Sequence, residues 1–294
     1  MRCLVTGGQG FIGSHMVELL LENNYSVVVV DDQSAPENTE FYTFDGDVEY
    51  HNASILDEKT HDLYKNIDYV FHFAARSRIQ PSLVNPKETL ENNVIGTQSV
   101  LQASRKHGVK KVIYSGSSSF YGRKNIPPHV ETMNSDCLNP YSVSKFQGEQ
   151  LCKMYSELWG LETVVLRYFN VYGPREPLRG VYAPVVGIFK RQRDSGEKLT
   201  IVGDGTQRRD FTYVKDIVNA NLLAAKSDIV YDVFNIGTGV NHSINDVAKL
   251  VGGETTYIKP RPAEAKETLA NISKANKLLG YEPKFMLGEM INSY

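Results

Sequence analysis

Tyr141 and Lys145 are the side chains whose spacing points most directly to chemistry. They stand four residues apart near the start of a stretch with helical periodicity, so both belong to one helix face. An ammonium beside a phenol favours the phenolate, and we expect it to lower the tyrosine pKa from its usual value of about 10. Tyr141 is therefore a candidate base near neutral pH. A tyrosine with a lysine one turn away is also a common surface pair, and the pair alone leaves both interpretations open.

A serine cluster precedes this helix in the chain. Ser117, Ser118 and Ser119 follow an apolar run, Lys111 to Tyr114, that predicts a strand. A hydroxyl at the carboxyl end of a strand can donate to a substrate alcohol or relay its proton. Serine-rich stretches are usually only turns, but this one lies between a glycine-rich turn and the Tyr141 helix, which favours a shared site.

The glycine-rich turn lies in the first thirty residues. Apolar runs at residues 3–5 and 27–30 predict two strands, and the sequence between them has helical periodicity that begins at Phe11 and Ile12. Gly7 and Gly10 precede this predicted helix, and Gly13 lies in its first turn. In dinucleotide-binding units such glycines permit a tight turn, a close approach of the backbone to a pyrophosphate and close packing of helix on sheet. The free N–H groups at the helix start then hold the anion. We predict that these five residues bind a dinucleotide.

Two further features refine this cofactor prediction. Asp31 ends the second strand, where a carboxylate accepts hydrogen bonds from the adenosine ribose and repels a 2′-phosphate, which favours NAD over NADP. Ala74 and Ala75 follow the predicted strand Asp68 to Phe73 and leave room for a flat ligand. His72, which lies within that strand, has no partner pattern and is interpreted as structural.

The remaining elements must position these groups. Long helices are predicted at Pro86 to His107 and Pro140 to Trp159, and they alternate with strands such as Glu162 to Phe169. The alternation predicts an α/β fold with a doubly wound, mainly parallel Rossmann sheet. From Asn170 the sequence becomes rich in Pro, Gly and Arg, which marks a boundary. We predict an NAD-binding domain at residues 1–169 with a returning segment at 211–236, and a smaller C-terminal substrate lobe within 170–294.

Composition excludes several classes of partner. The 294 residues include 32 basic and 34 acidic side chains, for a net charge of −2, which gives no bias towards nucleic acid. The three cysteines are unpatterned, so neither a disulfide framework nor a cysteine-ligated metal is expected, and no metal site is predicted. No apolar run approaches the roughly 20 residues of a membrane span. We expect a soluble, cytoplasmic protein.

Seven motifs in fixed order resemble those of the nucleotide-sugar epimerases and dehydratases, which form part of the extended short-chain dehydrogenase/reductase group and include the UDP-glucose 4-epimerases. They are GGQGFIG, HFAA, SGSSSFYG, NPYSVSK, RYFNVYGPR, RRDFTYVKD and NIGTG. The resemblance implies that Ser117, Tyr141 and Lys145 form a catalytic triad. Tyr141 is then the base on a sugar hydroxyl, Ser117 relays that proton, and Lys145 binds the nicotinamide ribose. It further implies that Asn93 supports the cofactor site from the neighbouring helix.

The same resemblance implies the substrate and its contacts. Asn170, Arg209 and Arg261 match positions that contact the diphosphate and nucleoside, and Ser118 lies beside the sugar. The implied reaction is NAD-dependent C4 epimerisation of a nucleotide-diphosphate sugar, a UDP-hexose, through a 4-keto intermediate. Thr268 takes the place of a bulky tyrosine that excludes N-acetyl groups in some family members.

Several alternatives stay open. Ser118 and Ser119 replace the Asp-Glu pair of the 4,6-dehydratases, which argues against dehydration, but a reductase, a 3,5-epimerase-reductase or a decarboxylase of the same group fits the motifs. A non-catalytic NAD sensor is a further alternative, against which the intact Ser117, Tyr141 and Lys145 argue. Arg76 and Arg78 either recognise an acidic or acylated sugar or face solvent. The two long helices resemble those of a homodimer interface.

Overall fold

A computed structural model describes residues 1–34, 42, 44, 48–178, 183–260 and 265–294. Arg261, predicted to contact the substrate, lies outside this set. The strands are β1 (Arg2–Thr6), β2 (Ser26–Asp31), β3 (Val48–Asn52), β4 (Tyr69–His72), β5 (Lys111–Ser117), β6 (Glu162–Tyr168), β7 (Val171–Tyr172), β8 (Leu199–Val202), β9 (Arg208–Asp210), β10 (Thr212–Tyr213), β11 (Tyr231–Ile236), β12 (Asn241–Ser243) and β13 (Thr255–Ile258).

The helical elements alternate with the strands of the main sheet. The α-helices are α1 (Phe11–Glu22), α2 (Ile79–Val84), α3 (Pro86–Leu90), α4 (Gly96–Lys106), α5 (Pro140–Trp159), α6 (Val185–Asp194), α7 (Val214–Lys226), α8 (Ile244–Val251), α9 (Ser273–Leu279) and α10 (Leu287–Met290). Short 3₁₀ turns cover Glu58–Tyr64 and Ser118–Tyr121.

The main sheet has seven parallel strands in the order β11-β6-β5-β4-β1-β2-β3. Apolar cores cover both faces: Cys3 and Val5 pack into one that includes Leu20 from α1, and Leu4 packs into the other, which includes Cys152 from α5. Burial on both faces is why these strands consist of near-continuous apolar runs. The predicted doubly wound Rossmann fold is confirmed.

One predicted helix differs from expectation. Residues 86–106 form α3, a π-helical turn at Glu91–Ile95 and then α4, so the predicted long helix is present but contains a π-helical turn that the periodicity did not predict. Within the turn, Asn93 is buried and its carbonyl accepts a hydrogen bond from Thr97 Oγ1 (2.6 Å). A π-turn carries one extra residue, and such turns frequently occur at functional sites.

A third apolar core lies in the C-terminal half. It joins α6 and α8 to β8 through side chains such as Phe189, Val247 and Ile201. The pairs β10–β7, β12–β9 and β13–β8 form three small sheets around it. Near the end of the chain, Ala275 and Leu279 of α9 instead pack into the core of the main sheet. The domain boundary at Asn170 stays a prediction.

Among the described residues, every helix is too short or too polar to cross a bilayer. The same residues contain no group of three or more His, Cys, Asp or Glu side chains arranged to hold a metal ion. Cys3 and Cys152 are buried and Cys137 is partly buried, and all three are free thiols.

Candidate active site

A cleft of about 470 Å³ opens at the carboxyl ends of the main-sheet strands. Open parallel sheets bind ligands at this edge. Among the predicted site residues that the structure describes, all but Asn93 line the cleft. Residues far apart in the sequence, from Gly7 to Thr268, thus share one cavity.

The glycine turn forms one end of the cleft. Gly7 has φ +70°, and a Cβ on it would lie 2.7 Å from the Ala74 nitrogen. A Cβ on Gly13 would lie 2.1 Å from the Gly7 carbonyl oxygen, so the turn accommodates only glycine at both positions. Helix α1 begins after Gly10 without a side-chain cap, which leaves its first N–H groups for an anion. This cradle fits the pyrophosphate of a dinucleotide.

Asp31 lies at the carboxyl end of β2 beside this turn. Its Oδ2 accepts a hydrogen bond from the backbone N–H of Gln9 (2.9 Å), and its Oδ1 accepts one from that of Gln33 (2.9 Å). Burial raises the pKa of Asp31, and these two amides oppose the rise. The bonds fix the carboxylate on the cleft wall, where it can accept ribose hydroxyls.

Asn93 does not line the cleft. Its Oδ1 accepts the Arg76 N–H (2.7 Å), and its Nδ2 donates to the Arg76 carbonyl (3.0 Å) and to Ser144 Oγ (2.9 Å). The role of Asn93 in supporting the cofactor site from the neighbouring helix stays a prediction. The Asn93 amide connects the loop after β4 to α5, because the π-turn directs it inward behind the cleft wall.

Arg76 and Arg78 both line the cleft, but their settings differ. The Arg76 guanidinium donates to the Ser34 carbonyl (2.6 Å) and pairs with Glu88 (2.8 Å). The charge of Arg78 acts to lower the pKa of Tyr141, against the effect of burial. Arg78 is therefore an arginine whose charge acts on the candidate base.

The serine turn follows β5 directly. Ser117 caps the 3₁₀ turn by accepting the Ser119 N–H (3.2 Å), and its hydroxyl contacts Ser119 Oγ (2.9 Å). The same hydroxyl acts on the phenol of Tyr141 and opposes the rise of its pKa. Both side chains line the cleft, so the structure brings these two of the three predicted triad members together.

The start of α5 places Tyr141 in this contact. Asn139 and Ser142 form a capping box, in which the Ser142 N–H donates to Asn139 Oδ1 (2.9 Å) and the Asn139 N–H donates to Ser142 Oγ (3.1 Å). Pro140 occupies the first helical position, where its missing N–H has no cost. The Tyr141 N–H donates to Ser82 Oγ (3.2 Å), which fixes this helix end against α2.

The ionisation of Tyr141 differs from the prediction. Burial raises its pKa above the usual 10, while the Ser117 hydrogen bond and the charge of Arg78 oppose the rise. The lowered pKa expected from Lys145 is therefore wrong. The Lys145 ammonium donates to the Ser115 carbonyl (2.9 Å) and lies 5.1 Å from the centroid of the Tyr114 ring. Burial lowers the pKa of Lys145 to about 8, and the charge of Glu149 opposes this fall.

The far end of the cleft carries the remaining predicted residues. The Arg209 guanidinium donates to the carbonyls of Ala265 (2.7 Å) and Lys266 (3.1 Å), while Asn170 also lines the cavity. Thr268 is 7% exposed, and its Oγ1 has no hydrogen-bond partner among the described residues. The cleft therefore places a cation and polar groups at the end opposite the glycine turn.

Some lining residues were not predicted. Ala53 and Ile55 follow β3, and Tyr168 ends β6. Their positions after the carboxyl ends of parallel strands are the one signal that identifies them in the sequence. By contrast, the structural interpretation of His72 is confirmed: its ring nitrogens contact Thr6 Oγ1 (2.7 Å) and Thr97 Oγ1 (3.0 Å), and burial lowers its pKa to about 3.

Comparison with known proteins decides the family. A model of the NAD dependent epimerase/dehydratase family matches residues 3–237. The chain belongs to this family. NAD is accordingly its cofactor, and the cradle described above fits it. The resemblance found in the sequence motifs is confirmed.

Individual relatives cover nearly the whole chain. The putative UDP-glucose 4-epimerase of Methanocaldococcus jannaschii is 38% identical over 301 residues, spanning 98% of this chain and 95% of that protein. The UDP-N-acetyl-alpha-D-glucosaminuronate decarboxylase of Bacillus cytotoxicus is 38% identical over 255 residues, spanning 84% and 78%. The crystal structure of UDP-glucose 4-epimerase from Thermotoga maritima with UDP-glucose superposes with a TM-score of 0.94 at 37% identity, covering 99% of this chain and 96% of that one. The chain is thus an enzyme of nucleotide-sugar chemistry.

Proposed function

We propose that the protein is an NAD-dependent 4-epimerase of a UDP-hexose. The observation that carries the proposal is that Ser117, Tyr141 and Lys145 line one cleft together with the glycine turn, with the Ser117 hydroxyl acting on the Tyr141 phenol. A phenol and a relay hydroxyl at this place can remove and return the proton of a sugar alcohol. Similarity to proteins named UDP-glucose 4-epimerase supports the choice of reaction.

Each side chain then has a defined task. NAD, when bound, supplies a hydride acceptor that later returns the hydride. The turn at Gly7, Gly10 and Gly13 binds its pyrophosphate, Asp31 its adenosine ribose and Lys145 its nicotinamide ribose. Tyr141 removes the proton of the sugar 4-hydroxyl. Ser117 orients that hydroxyl and relays its proton to the Tyr141 phenolate, which becomes the neutral phenol.

The opposite end of the cleft receives the nucleotide diphosphate. Arg209 provides a guanidinium, whose fork matches phosphate oxygens, and Asn170 provides a neutral donor beside it. Arg261 completes this set in the proposal. Rotation of the intermediate 4-keto sugar about its diphosphate link exposes its other face to the returning hydride.

A substrate panel tests the proposal. The protein, supplied with NAD, is incubated separately with UDP-glucose, UDP-N-acetylglucosamine and UDP-glucuronate, and product stereochemistry is determined by proton NMR. We expect inversion at C4 of at least one sugar with no net change in NADH. Products that keep the C4 configuration, or stoichiometric formation of NADH, contradict epimerisation.

A decarboxylase is the second candidate function. It is favoured by the 38% identity to a decarboxylase of a UDP-hexuronate and by the cationic Arg78 near Tyr141. Oxidation of C4 to a ketone makes a uronate a β-keto acid, so the C5–C6 bond can break and the C6 carboxylate is lost as CO₂. The UDP-glucuronate arm of the panel distinguishes the two reactions, because only decarboxylation releases CO₂ and yields a pentose.

We also propose that the chain forms a homodimer through α4, α5 and the π-turn between α3 and α4. Ile95 and Leu158 are large apolar side chains on these elements and are 55% and 66% exposed. Pairing with the same helices of a second copy removes this surface from water. Sedimentation equilibrium is expected to give twice the 33.0 kDa of one chain.

A further inference from the structure

A buried ion pair lies one helical turn beyond Lys145. Glu149 of α5 and Arg167 of β6 are 2% and 4% exposed. Arg167 Nη2 donates to Glu149 Oε2 (2.8 Å), and Arg167 Nε donates to Glu149 Oε1 (3.1 Å). Glu149 follows Lys145 by four residues, so the two belong to one helix face. None of the predicted site residues belongs to this pair.

Arg167 also contacts the serine turn. Its Nη1 donates to the Tyr121 hydroxyl (3.0 Å), and its guanidinium lies 3.5 Å from the centroid of the Phe120 ring. Both residues belong to the 3₁₀ turn that follows Ser117. In the sheet, Arg167 is aligned with Gly116, the residue before Ser117. One buried guanidinium therefore joins the two elements that carry Ser117 and Lys145.

The charges of this cluster are coupled. Burial lowers the pKa of Lys145, and Glu149 is the strongest influence in the opposite direction. Burial raises the pKa of Glu149, and the charges of Arg167 and Lys145 oppose that rise. A buried carboxylate with a cation on either side holds both of them in their charged form.

We propose that Glu149 is a positioning residue: its carboxylate keeps the Lys145 ammonium charged, and its ion pair with Arg167 fixes α5 against the serine turn. This inference rests on the role given to Lys145 under the proposed function. Glu149→Gln leaves two cations facing each other, so Lys145 loses its proton at lower pH. Arg167→Gln removes the second cation of the cluster, so the Glu149 carboxylate acts on the Lys145 ammonium alone. Lys145 then loses its proton at higher pH. A pair that only stabilised the fold would not shift the two variants in opposite directions.

Titration of Lys145 by NMR tests the proposal directly. Full-length protein with ¹³C at the lysine ε-carbons is titrated, and Lys145→Arg identifies the signal. We expect the Lys145 midpoint to fall by about one to two pH units in Glu149→Gln, to rise by about the same amount in Arg167→Gln, and to return towards the wild type in the double variant. Equal midpoints in all four proteins overturn the proposal.

Glu162→Gln is the matched control. Glu162 pairs with the fully buried Lys111 (3.2 Å) and joins the same strands, β5 and β6, at their other end. Its removal leaves the Lys145 midpoint unchanged. If Glu149→Gln does not fold, the Lys145 midpoints of Arg167→Gln, the double variant and the wild type are compared instead. The absence of an upward shift of the midpoint in Arg167→Gln then overturns the proposal.

Turnover gives a second measurement. If the protein epimerises a sugar nucleotide, kcat can be measured as a function of pH. In each variant, the alkaline limb of this profile is expected to shift in the same direction as the Lys145 midpoint. The NMR titration needs no turnover. Shifted midpoints in a protein without epimerase activity therefore contradict the proposed function and leave the electrostatic coupling intact, whereas unshifted midpoints in an active epimerase contradict the coupling alone.

Discussion

The Tyr141 phenol lies between groups that stabilise its ionised form and a protein interior that opposes ionisation. Ser117 and Arg78 act in the first direction and burial acts in the second, with burial the larger effect. The phenolate is the form that accepts a proton. Activity is therefore expected to increase as pH rises through the neutral and alkaline range, because burial raises the pKa of Tyr141 and the phenolate becomes more abundant throughout this range.

The first prediction concerns the base itself. Tyr141→Phe removes one oxygen and retains the ring, so folding and NAD binding are expected to survive. Epimerase turnover should fall by about 10²–10⁴, the usual contribution of general-base catalysis. Stopped-flow absorbance of transient NADH measures the step. Tyr155→Phe is the control, since Tyr155 is a buried tyrosine of the same helix whose hydroxyl contacts Gln98 and Gln102. A Tyr141→Phe protein with most of its activity would assign the base to another group.

A second prediction at this scale concerns Glu176. It is 3% exposed; its Oε1 accepts the Tyr294 hydroxyl (2.9 Å), whereas its Oε2 has no hydrogen-bond partner among the residues that the structure describes. Burial raises its pKa to about 7. The folded state thus retains a proton that the unfolded chain releases near pH 4.5. The contribution of Glu176 to the free energy of unfolding is therefore complete below pH 4.5 and is lost as pH rises through about 7.

Glu176→Gln abolishes this loss of stability at high pH, because an amide does not ionise. We expect the variant to be more stable than the wild type at pH 8 by about 2–3 kcal/mol, and to differ little at pH 4.5. Urea denaturation at the two pH values measures the difference. Glu197→Gln, at a 51% exposed side chain, is the control and should show no such pH dependence. An equal effect of Glu176→Gln at both pH values would rule out a titrating carboxyl group.

At the scale of elements, the sequence predicts the ends of a helix where neighbouring residues determine them. The capping residues Asn139 and Pro140 and the terminal Gly160 define α5, whose predicted bounds agree with the structure. The π-turn at Asn93 was not predictable, because it depends on bonds to Arg76 and Ser144 from distant parts of the chain. The direction of the Tyr141 pKa shift was missed for a similar reason. Spacing along a helix shows which residues are neighbours, but burial depends on what packs around them.

The glycine turn leads to a prediction about α1. Gly13→Ala directs a Cβ to within 2.1 Å of the Gly7 carbonyl, so the helix must shift away from the turn. We expect a loss of about 1–3 kcal/mol in stability from overpacking and a weakening of NAD binding by about tenfold or more. Calorimetric titration with NAD measures the second effect.

Gly288→Ala is the matched control for this prediction. Gly288 lies in α10, and a Cβ on it meets no atom within 4 Å. Alanine there gains helix propensity and should leave NAD binding unchanged. If Gly13→Ala also bound NAD normally, the close contact between α1 and the turn would not be needed for the cofactor cradle.

At the scale of the whole molecule, the cleft has walls from both halves of the chain. The main sheet contributes the glycine turn and the serine turn, while the C-terminal half contributes Arg209 and Thr268. Thr268 is held in place by its N–H, which donates to the carbonyl of Arg208 (3.0 Å), the first residue of β9. The sequence motifs identified both walls, but only the fold shows that they enclose one cavity.

The last prediction follows from this arrangement. Thr268 is a small side chain on the wall opposite the Rossmann sheet, at the place where the family resemblance puts a bulky tyrosine in members that exclude N-acetyl groups. The wild type is therefore expected to epimerise both UDP-glucose and UDP-N-acetylglucosamine. Thr268→Tyr fills the space of the acetamide, and its kcat/KM for the acetylated sugar should fall by about tenfold or more relative to UDP-glucose, a change of about 1.4 kcal/mol in discrimination. Thr268→Ser keeps the side chain small and should preserve the ratio. An unchanged ratio in Thr268→Tyr would mean that the acetamide occupies a different part of the cleft, and that Thr268 does not control sugar size.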